Sequence, residues 1–170
     1  DDKVYLFDKD SSTPLWNYTT GLVYSVAISA DGHYVIASTG NYRVYLFHKD
    51  SSTPLWNYTT GDIVRSVAVS ADGEYIAVGS QDNNVYLFDK DSNTPLWSYN
   101  ANYDVWSVSI SSDGEHITAG SYDKVYLFDK DSSTPLWNYN TGSGVTSTSI
   151  SSDGKYIVAG TVDAKVYLFD

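Results

Sequence analysis

Apolar residues in this chain fall in short β-branched and aromatic runs, separated by clusters of Asp, Ser, Asn and Gly. "VYSVAIS" (23–29) leads into "ADG", "HYVIAST" (33–39) into "GNY", "RVYLFHKD" (43–50) into "SST", and "PLWNYTT" (54–60) into Gly61. Apolar runs bounded in this way predict strands. The Asp-Gly pair between the first two runs is a strong hairpin signal. No stretch keeps a helical period over a useful length. In "VYLF", Val4 and Leu6 point to one face and Tyr5 and Phe7 to the other, because strand side chains alternate. A strand apolar on both faces needs cover on both faces.

The pattern repeats. "VYLF" starts at residues 4, 44, 85, 125 and 166, and "TPLW" at 13, 53, 94 and 134. Asp-Gly turns fall at Asp31-Gly32, Asp72-Gly73, Asp113-Gly114 and Asp153-Gly154. The spacing is 40 or 41 residues throughout, the period of a propeller or solenoid unit. Four tandem units (4–43, 44–84, 85–124, 125–165) and a partial fifth strand (166–170) make one repeat domain over residues 1–170. One such unit cannot bury its own faces, so neighbours must cover them.

On these residues the unit resembles the PQQ-like and WD-repeat β-propeller blades. "SVAVSADGEYIAVGSQDNNVYLFD" (66–89) is similar to the WD-repeat strand pattern, and "VYLFDKDSSTPLW" to the PQQ-like repeat. The latter resemblance implies that a Trp on the outer strand docks against the neighbouring blade. Phe7-Asp8, Phe47-His48, Phe88-Asp89 and Phe128-Asp129 stand where WD repeats carry Trp-Asp, and their Gly-His dipeptide is absent. The fold expected is therefore all-β, a propeller of four four-stranded blades.

With strands A to D counted from the axis outward, the chain reads C-D, three times ABCD, then ABC. The C-type strand is thus duplicated: Val4, Tyr5, Leu6 and Phe7 at one end, Val166, Tyr167, Leu168 and Phe169 at the other. In a ring closed by one chain, the two copies would compete for one slot. Three outcomes stay open: a four-bladed ring with one copy displaced, an eight-bladed ring shared by two chains, or a fibre grown through an unpaired strand edge.

The net charge is −11, and the ten Lys and Arg are scattered, so neither nucleic acid nor an anionic membrane is an expected partner. No apolar run reaches transmembrane length, and membrane insertion is not expected. The chain opens "DDKVYLF", without an apolar signal-peptide region. Cys is absent, which excludes disulfides, thiol nucleophiles and Cys-based metal sites.

Candidate chemistry is sparse. His33, His48 and His116 lack metal-ligand spacing, and Glu74 and Glu115, the only Glu residues, are equivalent by repeat. A catalytic carboxylate pair needs two different environments. No enzyme and no cofactor is expected. Asp8 and Asp10 have a spacing that hard cations such as Ca²⁺ accept, but Asp and Ser are also ordinary turn formers. Trp16, Trp56, Trp97 and Trp137 recur at one repeat position and read as packing between blades. Trp106 does not recur: Tyr24, Arg65 and Thr146 hold its position elsewhere. With Tyr42, Tyr103, Tyr122 and the loop residues Gln81, Asp82 and Asn83, it is placed at one mouth of the channel, where a rigid scaffold carries binding loops. Asn17 and Asn57 head Asn-x-Thr glycosylation acceptors on the outer strand.

The function expected is a structural scaffold, outside the cell or on its surface, that self-associates by sharing terminal strands. The alternative is a propeller that recognises a glycan or protein through loops on one face.

Overall fold

The computed structural model describes residues 2–170. Asp1, the first residue of the expected domain, lies outside the described residues. The first sheet pairs β1 (Lys3–Phe7) with β2 (Pro14–Thr19). The second holds β3 (Val23–Ile28), β4 (Tyr34–Thr39), β5 (Arg43–His48) and β6 (Trp56–Thr59). The third holds β7 (Val64–Val69), β8 (Tyr75–Ser80), β9 (Asn84–Asp89) and β10 (Trp97–Asn100). The fourth holds β11 (Val105–Ile110), β12 (His116–Ser121), β13 (Lys124–Asp129) and β14 (Trp137–Asn140). The fifth holds β15 (Val145–Ile150), β16 (Ile157–Thr161) and β17 (Val166–Phe169). Every pairing is between antiparallel strands adjacent in sequence.

The two terminal copies of "VYLF" do not compete within the chain. β1 pairs with β2 (Val4↔Tyr18), and β17 pairs with β16 (Ile157↔Phe169). Among the described residues, no strand of the first sheet joins the last by hydrogen bonds. This differs from a ring closed by one chain. Short links from each fourth strand to the next first strand set the sheets side by side in chain order, with β3, β7, β11 and β15 as neighbours.

The core lies between sheets, as strands apolar on both faces require. Ile36, Val44 and Leu46 of the second sheet pack against Val67, Ile76, Val78 and Phe88 of the third. Ala77, Val85 and Leu87 of the third pack against Val108, Ile117, Tyr126 and Phe128 of the fourth.

Two kinds of contact recur, the outer at all four joints and the inner at the three between the second and fifth sheets. On the outer side, the Trp of one sheet tilts onto the Phe of the next: Trp16–Phe47, Trp56–Phe88 and Trp97–Phe128 have ring centroids 5.3, 5.4 and 5.3 Å apart. The indole N–H of Trp16, Trp56 and Trp97 donates at 2.7 Å to the carbonyl of Lys49, Lys90 and Lys130. On the inner side, the Asp-Gly turns touch one another. Ala30 N–H donates to the Ala71 carbonyl, Ala71 N–H to Ser112, and Ser112 N–H to Ser152.

The turn itself is built by side chains. In the fourth sheet Ser111 Oγ donates to Asp113 Oδ1 at 2.5 Å, Glu115 N–H donates to the same oxygen, and His116 N–H donates to Ser111 Oγ. The turn glycine takes the left-handed conformation, and the preceding sheet covers it. A Cβ on Gly73 (φ 78°) would fall 2.3 Å from Tyr34 Cδ2, and one on Gly114 2.6 Å from Tyr75 Cδ2. His116 covers Gly154 in the same way, but its Nδ1 is buried with no hydrogen-bond partner among the described residues.

The Ser hydroxyl and then the backbone amide hold Asp31, Asp113 and Asp153 below the usual carboxylate range. A carboxylate lowered in the folded state stabilises fully above its unfolded pKa, and that stability is lost as pH falls through the folded value.

Three outcomes are expected. Replacing His116 by Tyr, the residue at this position in the other repeats, removes an unpartnered buried nitrogen. It should raise stability by about 1 kcal/mol in urea unfolding. Trp97→Phe removes the indole bond to Lys130 and part of the contact with Phe128, and should cost about 2 kcal/mol in the same measurement. The wild type should lose stability as pH falls below about 4. The triple change of Asp31, Asp113 and Asp153 to Asn should flatten that loss when urea midpoints at neutral and acid pH are compared.

Candidate functional site

The first strand of the second, third, fourth and fifth sheets carries a position that differs in all four: Tyr24, Arg65, Trp106 and Thr146. In each strand it lies between a Val and a Ser that repeat (Val64 and Ser66, Val105 and Ser107), and there the pairing shifts register, so the variable residue is the extra residue of a β-bulge. Adjacent sheets bring these side chains together. The Arg65 guanidinium carbon stands 4.8 Å from the centre of the Tyr24 ring. Arg65, Gln81, Asp104, Trp106 and Thr146 line one hollow of about 370 Å³. Gln81 Nε2 donates to Asp104 Oδ2 at 2.8 Å across two sheets. Thr146 Oγ1 donates to the Gly160 carbonyl at 3.2 Å.

Trp106 is a half-buried wall. One end of its ring lies against Gly144, where a Cβ would fall 2.6 Å from Cζ3. Tyr122 meets it edge-on, 6.3 Å away at 80°, and Tyr103 tilts onto Tyr122 at 5.5 Å. A second hollow of about 270 Å³ opens on that flank, lined by Trp106, Tyr122, Ser143, Gly144 and Val162 among others.

The residues singled out in the sequence thus divide. Arg65, Gln81 and Trp106 share one hollow, Tyr24 supports Arg65, and Tyr103 and Tyr122 stand on the other side of Trp106. Tyr42 lines neither hollow and occupies a left-handed turn position (φ 68°) between β4 and β5. Asp82 organises its own turn: its carboxylate accepts from Gly61 N–H, Asn84 N–H and the Tyr86 hydroxyl. Burial and then that carboxylate push the Tyr86 hydroxyl well above its ordinary range. Asp104 was not singled out, yet its repeat equivalents are Leu22, Ile63 and Gly144. The departure from repetition that marks Trp106 marks Asp104 as well.

The other polar residues have local duties. Asp8 Oδ1 accepts from Asp10 N–H at 2.9 Å, and Asp10 pairs with Lys9; the same turn recurs at Asp89/Asp91 and Asp129/Asp131. Among the described residues no group of three or more His, Asp or Glu side chains gathers to hold a metal. Glu74 and Glu115 each pair with a lysine, Lys90 and Lys130. His33 Nδ1 lies 2.9 Å from Asp31 on an exposed turn, and its ring stacks on that of His48. Asn17 and Asn57 are exposed on β2 and β6, between half-buried Trp and Tyr.

No curated protein matches the chain. A family model described as outer membrane protein assembly factor BamB, of the PQQ-like repeat type, matches residues 1–170. The meander sheets, the spacing of the repeats and the Trp of the outer strand agree with that match. The chain belongs to the PQQ-like repeat family.

Proposed function

We propose that this chain is a non-catalytic propeller scaffold that associates with further copies of itself, the incomplete blade at one end of the arc accepting strands from the incomplete blade at the other. Exposed apolar side chains at the two ends, at positions buried in every inner repeat, carry the reading. Phe7 is 52% exposed, while Phe47, Phe88 and Phe128 are fully buried. Val26 is 61% exposed against 6% for Val67 and 5% for Val108. Val166 and Leu168 are 76% and 70% exposed, while Val44, Leu46, Val85 and Leu87 are fully buried.

The two ends are complementary. Between the second and third sheets, the face carrying Val44 and Leu46 meets the face carrying Val67 and Phe88, and between the third and fourth the face carrying Val85 and Leu87 meets that carrying Val108 and Phe128. The last sheet presents the first kind of face through Val158, Val166 and Leu168, and the other end presents the second kind through Phe7, Val26 and Ile28. Beside β1 and β3 lies an apolar hollow of about 380 Å³ whose walls include Val4, Leu6, Val26, Ile28 and Val35. In the inner blades the first and second strands fill this place. β15 and β16 of a second copy carry the right strands to fill it.

The register is also supplied. β16 pairs with β17 as Ile157↔Phe169, Val158↔Leu168 and Gly160↔Val166. β1 carries the same "VYLF", so β16 of a second copy, on exchanging its own β17 for β1, would set Ile157 opposite Phe7 and Gly160 opposite Val4. Each joint then completes one blade, giving four blades per chain. Two chains close an eight-bladed ring; a joint that does not close continues as a fibre. Unpaired strand edges and exposed apolar faces both drive such pairing. Placement outside the cell belongs to the same proposal and is supported by the exposed acceptors Asn17 and Asn57.

The native mass of the particle, by light scattering with negative-stain images, tests this. The wild type is expected at a multiple of 18.8 kDa. The double variant Val26→Asp, Ile28→Asp changes side chains exposed in one chain and covered at the joint, and is expected at the mass of one chain. A wild type that stays at one chain's mass at all concentrations, or a double variant whose mass matches the wild type's, would sink the proposal.

A further inference from the structure

We infer that the hollow between Arg65, Asp104 and Trp106 is a binding site for a neutral saccharide. Four observations carry this. First, among the described residues Arg65 has no carboxylate or carbonyl partner; its guanidinium lies on the face of Tyr24, which leaves its donors open. Second, Asp104 has no cation partner: one oxygen takes the Gln81 amide, and the other is open. Third, Trp106 is a fixed aromatic plate, backed by Gly144 and braced by Tyr122, and its indole N–H has no acceptor among the described residues. Fourth, the hollow, about 370 Å³, is within the range of roughly 300–1,000 Å³ that holds small ligands.

The combination narrows the chemistry. A phosphate or other strong anion would gain Arg65 but meet Asp104, on a chain of net charge −11. A simple cation would gain Asp104 and meet Arg65. An apolar molecule would cover both charges and pair neither, at a large desolvation cost. A pyranose matches all three groups. Its C–H face lies on an aromatic plate. Its vicinal hydroxyls both donate and accept, so one pair can donate a hydrogen bond to Asp104 Oδ1 while accepting one from Arg65. The Gln81–Asp104 bond and the Arg65–Tyr24 contact arrange these groups before the ligand arrives, which lowers the ordering cost of binding.

The site is built from the third, fourth and fifth sheets of one chain, so it does not depend on assembly. Nothing in it repeats at the equivalent place between the second and third sheets, where Tyr24, Arg65, Gly40 and Ile63 stand for Arg65, Trp106, Gln81 and Asp104. One site per chain follows.

The experiment is a titration of the full chain with cellotriose, mannotriose, chitotriose and laminaritriose, followed by the Trp106 indole N–H resonance, which is assigned by its loss in Trp106→Phe. At least one trisaccharide is expected to move that resonance saturably, with Kd at or below the millimolar range. Arg65→Gln and Asp104→Asn, both at the edge of an open hollow, are each expected to weaken binding about tenfold, as loss of one charged hydrogen bond does. Measuring the same titration on Val26→Asp, Ile28→Asp separates it from assembly: binding should persist there. The inference is overturned if none of the four moves the resonance at about 10 mM, a level that would reveal even Kd values near 1 mM. It is equally overturned if trigalacturonate or ATP binds where the neutral sugars do not, or if both charge variants leave the affinity unchanged.

Discussion

The joint between neighbouring sheets is the contact on which the rest of the molecule depends. A strand such as "VYLF" is apolar on both faces, so an isolated sheet would present two greasy surfaces to water. The outer Trp resolves part of this by covering the next sheet's Phe, and its N–H donates to a turn carbonyl of that sheet. Area burial and hydrogen bonding thus act at one point, and the bond fixes the angle at which the next sheet is laid down. The aromatic-over-glycine contact at the inner turns fixes the other side. Tyr34 lies so close to Gly73 that any larger residue would push the sheets apart, and the turn needs a left-handed residue there in any case.

Much of this was legible in the residues. Short apolar runs, Asp-Gly turns and the 40- or 41-residue spacing gave the strands, their order and their two-faced burial. The packing duty of Trp16, Trp56 and Trp97 also followed from their recurrence. What could not be read was which surfaces meet across a joint. That His116 covers the glycine of the following turn, with its Nδ1 unpartnered, depends on a contact between residues in different repeats. The separation of the terminal strands into two sheets was hidden for a similar reason: identical "VYLF" segments carry no mark of which partner each will take.

The site shows the same division. Repetition singled out Trp106 because it breaks the pattern, and by the same rule it could have singled out Asp104. It could not show that Arg65 rests on Tyr24 or that Gln81 reaches Asp104, since both contacts cross between sheets. Tyr42 marks the limit of the approach: it also breaks the pattern, but its place is a strained turn away from the hollow. Irregularity in a repeat marks positions released from packing, and only the joint geometry tells which of them converge.

The backbone bonds that run from turn to turn, Ala30 to Ala71, Ala71 to Ser112 and Ser112 to Ser152, have a consequence for how the molecule comes apart. Each sheet is tied only to its immediate neighbours, so the arc behaves as a one-dimensional chain of coupled units. An inner sheet has two joints to lose and a terminal sheet has one. Unfolding therefore starts at the two ends and moves inward, and amide protons of β8 and β12 are the last to exchange. Any event that caps an end converts a terminal unit into an inner one and slows that front from its source.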